Sequence, residues 1–231
     1  MAQTPDFVVV NKFPNVDFHS EGAQPGLAVR VSQALGEPLW PVHRLDKMTS
    51  GLTLFARSHA SAQVFGKLFA ERRLTKYYLA IGVGKPKKKQ GLIAGDMARS
   101  RRKSWKLLAS MEQPAVTQFF SESLGEKRRL YLLKPHTGKT HQLRVALKSQ
   151  GVSIVGDPIY DQAPAAETQA PVRGHLHAYQ LHFSAFDEHF SFSAAPAGGL
   201  FDLPAVQGLL ATAFATPDTL PWPALSARLL S

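Results

Sequence analysis

Short bursts of apolar residues punctuate this chain, and their period changes along it. Phe7 to Val10 is a run of aromatic and β-branched residues and predicts a strand. Phe13 to Gly22 is polar and predicts a loop. Leu27, Val31, Ala34 and Leu35 then share one helical face, and Gly36 stands where a left-handed cap would end the helix. Leu39 with Trp40, and after a polar interval Leu52, Leu54 and Phe55, predict two short buried strands. Ser58 is placed as N-cap of a helix that turns Ala62, Phe65, Leu68 and Phe69 inward. Arg72 and Arg73 would occupy its last turn, against the negative end of the helix dipole. Tyr77 to Val83 predicts a further strand.

Ala115 to Ser121 and Leu130 to Lys134 predict strands, and Thr137 to Thr140 a turn into a helix. Leu143, Ala146 and Leu147 face inward on that helix and Gly151 stops it. Residues 161–172, rich in Ala, Pro and Gln, predict a surface loop. Leu176 to Phe183 and Phe190 to Ser193 predict a hairpin, and Ala205 to Phe214 a short helix. The tail with Pro217, Pro221 and Pro223 cannot be regular throughout and is expected to pack on the surface. Strands occur singly and in runs with few helices between them, unlike the alternation of a doubly wound parallel sheet. The fold class is therefore α+β, a mixed, mostly antiparallel sheet flanked by helices.

Composition narrows the function. A chain of 231 residues, 44% hydrophobic, can bury a substantial core, and one domain is expected. The absence of cysteine excludes disulfide scaffolds, thiolate metal sites and cysteine nucleophiles. No basic segment followed by an apolar one opens the chain, and no apolar run is long enough to span a bilayer, so a cytoplasmic location is expected. Lys and Arg number 27 against 17 acids, a net charge of +10, which favours a polyanionic partner. Much of the excess lies in one segment: Lys85, Lys87, Lys88, Lys89, Arg99, Arg101, Arg102, Lys103 and Lys106, with Asp96 the one acid among them. Interspersed glycines and a proline make it loops or a hairpin, and Trp105 adds a surface for unstacked bases, so this segment is expected to contact RNA.

The chemistry centres on the polar interval between the two predicted buried strands. His43-Arg44-Leu45-Asp46 and Thr49-Ser50-Gly51-Leu52 hold one acid, cations and hydroxyls. On the residues alone, Asp46 is either a turn-capping acid or a carboxylate nucleophile. Four further blocks follow in order: Lys76-Tyr77-Tyr78-Leu79-Ala80, Pro135 to Arg144 (PHTGKTHQLR), Gly156-Asp157-Pro158-Ile159-Tyr160, and Leu176-His177-Ala178. Together the five blocks resemble the RluA-type pseudouridine synthases across about residues 6–200. The resemblance implies the pseudouridine synthase fold with a central catalytic cleft, and here no separate N-terminal RNA-binding domain. It implies an RNA isomerase acting on ribosomal and/or transfer RNA. The atoms of that isomerisation balance, so no cofactor or metal is expected, and a monomer is expected.

Residue by residue, the resemblance makes Asp46 the nucleophile. It leaves open whether Asp46 attacks the sugar, attacks the base or acts through a glycal route. It gives Arg144 as the cation that keeps Asp46 ionised, and an Asp46–Arg144 ion pair is expected. Tyr78 would stack on the target uracil, with Tyr77 on the opposite strand face, and Leu143 would line the base pocket. Arg44 would enter the RNA as the nucleotide is everted. His43, Thr49 and Ser50 would shape the loop, and His141 and Gln142 would brace the site. Lys88, Arg101, Arg102, Lys103 and Lys139 would hold RNA. Two positions depart from the family pattern: Lys139 replaces the usual arginine, losing planar bidentate bonding, and Ala146 stands where relatives often carry histidine. Both bear on which RNA is chosen.

Other chemistries lack their parts. Nine histidines are present, and His175 and His177 would share a strand face, but no complementary ligand set has metal spacing. Ser50 lacks a nucleophile elbow, since Met48 occupies its first glycine position. A glycosidase needs a second carboxylate beside Asp46, and a methyltransferase a glycine-rich cofactor loop. The rival of another class is an RNA-remodelling protein without chemistry, which should tolerate Asp46→Asn.

Overall fold

A computed structural model of the chain describes residues 2–22, 24–161, 173–226 and 229. Its elements are β1 (Ala2–Gln3), β2 (Phe7–Lys12), α1 (Leu27–Leu35), β3 (Trp40–Pro41), β4 (Ser50–Ala56), α2 (His59–Ala70) and β5 (Thr75–Gly84). They continue with β6 (Gly91–Gly95), β7 (Met97–Arg99), β8 (Trp105–Leu107), β9 (Ala115–Gly125), β10 (Arg128–Pro135) and α3 (Gln142–Ser149). The last are β11 (Val152–Ile154), β12 (Leu176–Ala185), β13 (Glu188–Ser193) and α4 (Pro204–Ala211), with 3-10 turns at Gly199–Asp202 and Pro217–Thr219. The α+β class with mostly antiparallel pairing is borne out. From residue 162 on, the expected surface loop at 161–172 lies outside the described residues.

The chain forms two compact units, one comprising residues up to Lys76 with His177–Pro196, the other Tyr77–Leu176 with the residues from Ala197 on. In the first, β2 lies between β1 and β4, β3 pairs the far end of β4, and β13 pairs β12. A parallel pairing, β4 with β12, joins Ser50 to His177 and Gly51 to Ala178. β4 is buried at every position, which is why its apolar residues run without alternation. Val8, Val10 and Phe55 pack with Phe18, Leu27 and Val31 of the loop and α1. On the other side, Phe7 makes edge contacts with Phe65 of α2 and with Phe183 and Phe190 of the β12–β13 hairpin.

In the second unit β11, β5, β10, β9 and β6 pair in that order, all antiparallel. The basic segment forms β6 and a separate β7–β8 hairpin whose turn is Ser100 to Ser104. The proline-containing tail packs back as expected. Tyr77 donates its hydroxyl to Asp218 at 2.6 Å, and Trp222 stacks on the same ring.

Several expectations need correction. Gly36 and Ser58 cap their helices as read: Gly36 has φ 70°, and Ser58 accepts from the Ser61 N–H. Arg72 and Arg73, however, lie beyond α2, and Lys67 is the base in its last turn. Arg72 takes the left-handed conformation (φ 58°) and its N–H bonds to Phe69, while that of Arg73 bonds to Leu68. This is the Schellman closure that glycine usually provides, and no glycine marks the stop before the arginines. Trp40 and Pro41 form a strand of two residues, one half-buried and one exposed, because they pair only the end of β4. α4 stops at Ala211, three residues short of Phe214. His175 precedes β12, so it does not share a strand face with His177.

Candidate active site

Asp46 is half-buried in the segment that joins β3 to β4, and the surrounding residues fix that segment at several points. The Asp46 carbonyl accepts from the Thr49 N–H at 3.0 Å, closing a turn over Lys47 and Met48. Met48 and Thr49 are buried beneath it, while Arg44 and Lys47 project to solvent. His43 accepts the Leu54 N–H on Nε2 at 2.9 Å and rests its ring 5.3 Å from that of Phe69. Burial, aided by the charge of Lys76, pushes its pKa down to about 3. His43 is thus a neutral brace for this segment.

A residue that received no role from the sequence completes the support. Lys12, the last residue of β2, is 1% exposed. Its ammonium donates to the carbonyls of Phe13 (3.1 Å), Val16 (2.8 Å) and Lys47 (3.0 Å), the last directly after Asp46. Three donors meet three acceptors, which is the full capacity of an ammonium. Burial lowers its pKa to about 8, opposed by the charges of Asp17 and Asp46.

The segment leaves into β4 through a second clamp. Ser50 Oγ lies 2.8 Å from His177 Nδ1, and His177 Nε2–H donates to the Ala194 carbonyl at 2.7 Å. Gly51 has φ 106°, and a Cβ there would come within 2.3 Å of the Ala178 carbonyl oxygen. The first and last sequence blocks therefore meet at the parallel pairing, and the glycine is required by that approach.

The second unit builds a buried cation. Leu143 and Arg144 lie in the first turn of α3, 7% and 3% exposed. Arg144 donates Nε–H and Nη2–H to the two oxygens of Asp157, each at 2.7 Å. This fork geometry is the strongest form of carboxylate–guanidinium contact. Asp157 Oδ1 also accepts the N–H groups of Ile159 and Tyr160, so the turn Asp157 to Tyr160 holds the acid that holds the arginine. The Arg144 guanidinium lies over the Tyr160 ring, 5.0 Å from its centroid. Gln142 ties the entry to α3, accepting from the Lys139 N–H and the Thr137 hydroxyl and donating to Val116 and Thr117. Tyr78 is half-buried on β5, and Tyr77 points to the opposite, fully buried side, as strand alternation requires.

Thus Asp46, Arg44, His43 and Thr49 share one segment, while Arg144, Leu143 and Lys139 cluster at the start of α3. Arg101, Arg102 and Lys103 form the exposed tip of the β7–β8 hairpin, with Arg102 and Lys103 in left-handed turn conformations, and Lys88 is exposed in the loop after β5. Asp157 and Tyr160 stand in a recognised block, but nothing in the sequence showed which residue they would serve. Lys12 is marked only by being a lysine that ends an apolar strand.

Residues 6–149 match the family described as RNA pseudouridylate synthase. An uncharacterized RNA pseudouridine synthase of Haemophilus influenzae is 44% identical over 200 residues, covering 86% of this chain and 88% of the relative. The dual-specificity RNA pseudouridine synthase RluA of Pasteurella multocida is 36% identical over 204 residues, covering 83% and 90%. Among solved structures, human RNA pseudouridylate synthase domain containing 1 superposes with a TM-score of 0.74 at 26% identity, covering 96% of this chain and 95% of that one. This chain belongs to the RNA pseudouridylate synthase family, in its RluA-type branch. Its reaction is the isomerisation of uridine to pseudouridine in RNA. Among the described residues, no helix is long and apolar enough to cross a membrane.

The state of His43 sets a pH dependence. The folded protein refuses a proton that the unfolded chain accepts below pH 6.5, so the unfolded state binds more protons between pH 6.5 and about 3. Stability is complete above that window and falls as pH drops through it, by an upper bound of about 5 kcal/mol at ~1.4 kcal/mol per pH unit. His175, lowered by its own burial, acts in the same direction. His43→Gln keeps an acceptor for Leu54 but cannot titrate. Melting temperatures from pH 7 to 4 should fall less steeply for the variant, and parallel slopes would refute this role.

Proposed function

We propose that this protein isomerises specific uridines in ribosomal or transfer RNA, with Asp46 as nucleophile and Arg144 as its ionic partner. The reaction breaks the N1–C1′ bond, turns the uracil and joins C5 to C1′. The C5 hydrogen leaves to solvent as a proton and N1 gains one, so the atoms balance without cofactor, metal or added water. What the protein must supply is a group that captures the detached sugar or base, and an ionised carboxylate does this covalently. Such a carboxylate in a closed site needs a nearby cation to stay charged. Asp157 engages one edge of the Arg144 guanidinium, and a guanidinium has a second edge suited to another carboxylate. In this reading Tyr78 stacks on the uracil, Leu143 packs against its edge, and Arg44 helps evert the nucleotide. Lys88, the Arg101–Lys103 tip and Lys139 bind phosphates, in a cytoplasmic monomer acting as one catalytic domain.

The observation that carries the proposal is the support of Asp46. Lys12, His43, Ser50 and the Gly51–Ala178 approach all fix its segment, more than a surface turn requires. Catalysis needs that precision, because a nucleophile works only when held in an attack geometry. The test is tritium release from RNA labelled with [5-3H]uridine. Release by the wild type with none by Asp46→Asn supports the reading. Equal release by both, or none by either, refutes it.

A further inference from the structure

The β7–β8 hairpin and the buried arginine are joined through one hydroxyl. Tyr160 Oη accepts the Trp105 N–H, at the start of β8, at 2.7 Å. The same oxygen shares a 3.1 Å hydrogen bond with Nδ1 of His141. His141 is the N-cap of α3, held in the left-handed conformation with φ 58°, three residues before Arg144. The Tyr160 N–H bonds to Asp157 Oδ1, and its ring lies beneath the Arg144 guanidinium. Tyr160 is 5% exposed, so these contacts are made away from solvent. On the hairpin itself, Arg99 lies over the Trp105 ring at 5.7 Å, and Arg101, Arg102 and Lys103 form the tip.

We propose that Tyr160 is a positioning residue, whose hydroxyl sets the register between RNA seated on the β7–β8 hairpin and the guanidinium of Arg144. This rests on the reading above, in which the hairpin holds RNA and Arg144 serves Asp46. A hairpin that forms its own two-stranded sheet can bind phosphates in several placements, since phosphate contacts fix orientation but carry little sequence information. Catalysis does not share that tolerance, because a displacement near 1 Å costs roughly a hundredfold in rate. A buried hydroxyl that meets the base of the hairpin and the N-cap of α3 together removes the slack. Tyr160→Phe deletes that oxygen alone and keeps the ring beneath Arg144.

The experiment uses the full chain and total RNA from a strain lacking the gene, grown with [5-3H]uridine. Tritium release is followed in a single turnover with enzyme in excess, over a range of enzyme concentrations. The plateau rate reads the chemistry of bound RNA, so a partly unfolded preparation does not change it. Tyr160→Phe is expected to lower the plateau by roughly tenfold or more. A wild-type plateau overturns the proposal, including the case where only the half-saturating concentration rises. Asp46→Asn is run in parallel. If it retains full activity, the underlying functional reading fails. If it is inactive while Tyr160→Phe keeps the wild-type plateau, only the role of Tyr160 fails.

Discussion

Asp46→Asn is expected to reduce pseudouridine formation by roughly four orders of magnitude or more, the scale of losing the nucleophile of a covalent catalyst. The amide has nearly the same shape but is neutral and cannot form the covalent bond proposed for Asp46. The segment itself should survive. Its turn is closed by the backbone carbonyl of residue 46, and further ties are made by Lys12, His43 and Ser50. Melting temperature should therefore change little. RNA affinity should stay level or rise, because removing one negative charge does not weaken attraction for phosphates. A purified variant that binds RNA, melts with the wild type and releases no tritium is the expected result. A variant that melts early and binds poorly would make Asp46 a structural acid.

Asp157→Ala is expected to give the largest loss of stability. It leaves the Arg144 guanidinium, 3% exposed, without its bidentate partner and removes the acceptor of two backbone N–H groups. Removing one member of a buried ion pair costs about 3–5 kcal/mol. Asp157→Asn separates the contributions, since its side-chain oxygen can still accept from Ile159 and Tyr160 but carries no charge for Arg144. Denaturant melts should rank wild type above Asn and Asn above Ala. Equal stability of the two variants would show that the retained acceptor contributes nothing, and an Asn variant as stable as the wild type would show that the charge contributes nothing. Both should lose activity, because the guanidinium would no longer be held.

Much of this architecture could be read from residue order because its signals are local. Gly36 and Ser58 mark helix ends through their own backbone and side-chain chemistry, and β4 announces its burial by an apolar run. Tyr77 and Tyr78 fall on opposite faces because a strand leaves no other choice. The misses are tertiary. Arg72 closes a helix as a glycine would, and an arginine gives no sign of that. Lys12 reads as an ordinary base at a strand end until the chain brings the carbonyls of Val16 and Lys47 to its amine. Asp157 and Arg144 are separated by the rest of α3, by β11 and by a turn, so their pairing depends on how that whole excursion folds back. The motifs named the acid and the arginine. They did not name the second acid that holds the arginine, or the tyrosine that links it to the basic hairpin.

On the proposed mechanism, one carboxylate, Asp46, makes this chain a modifying enzyme. The most direct test is a transcriptome-wide pseudouridine map from cells lacking the gene, and from the same cells carrying either the wild-type gene or Asp46→Ala. Defined uridines in ribosomal or transfer RNA should lose modification in the deletion, regain it with the wild type and stay unmodified with Asp46→Ala. Restoration by the Asp46→Ala gene, or a deletion map identical to the parent, would rule that role out.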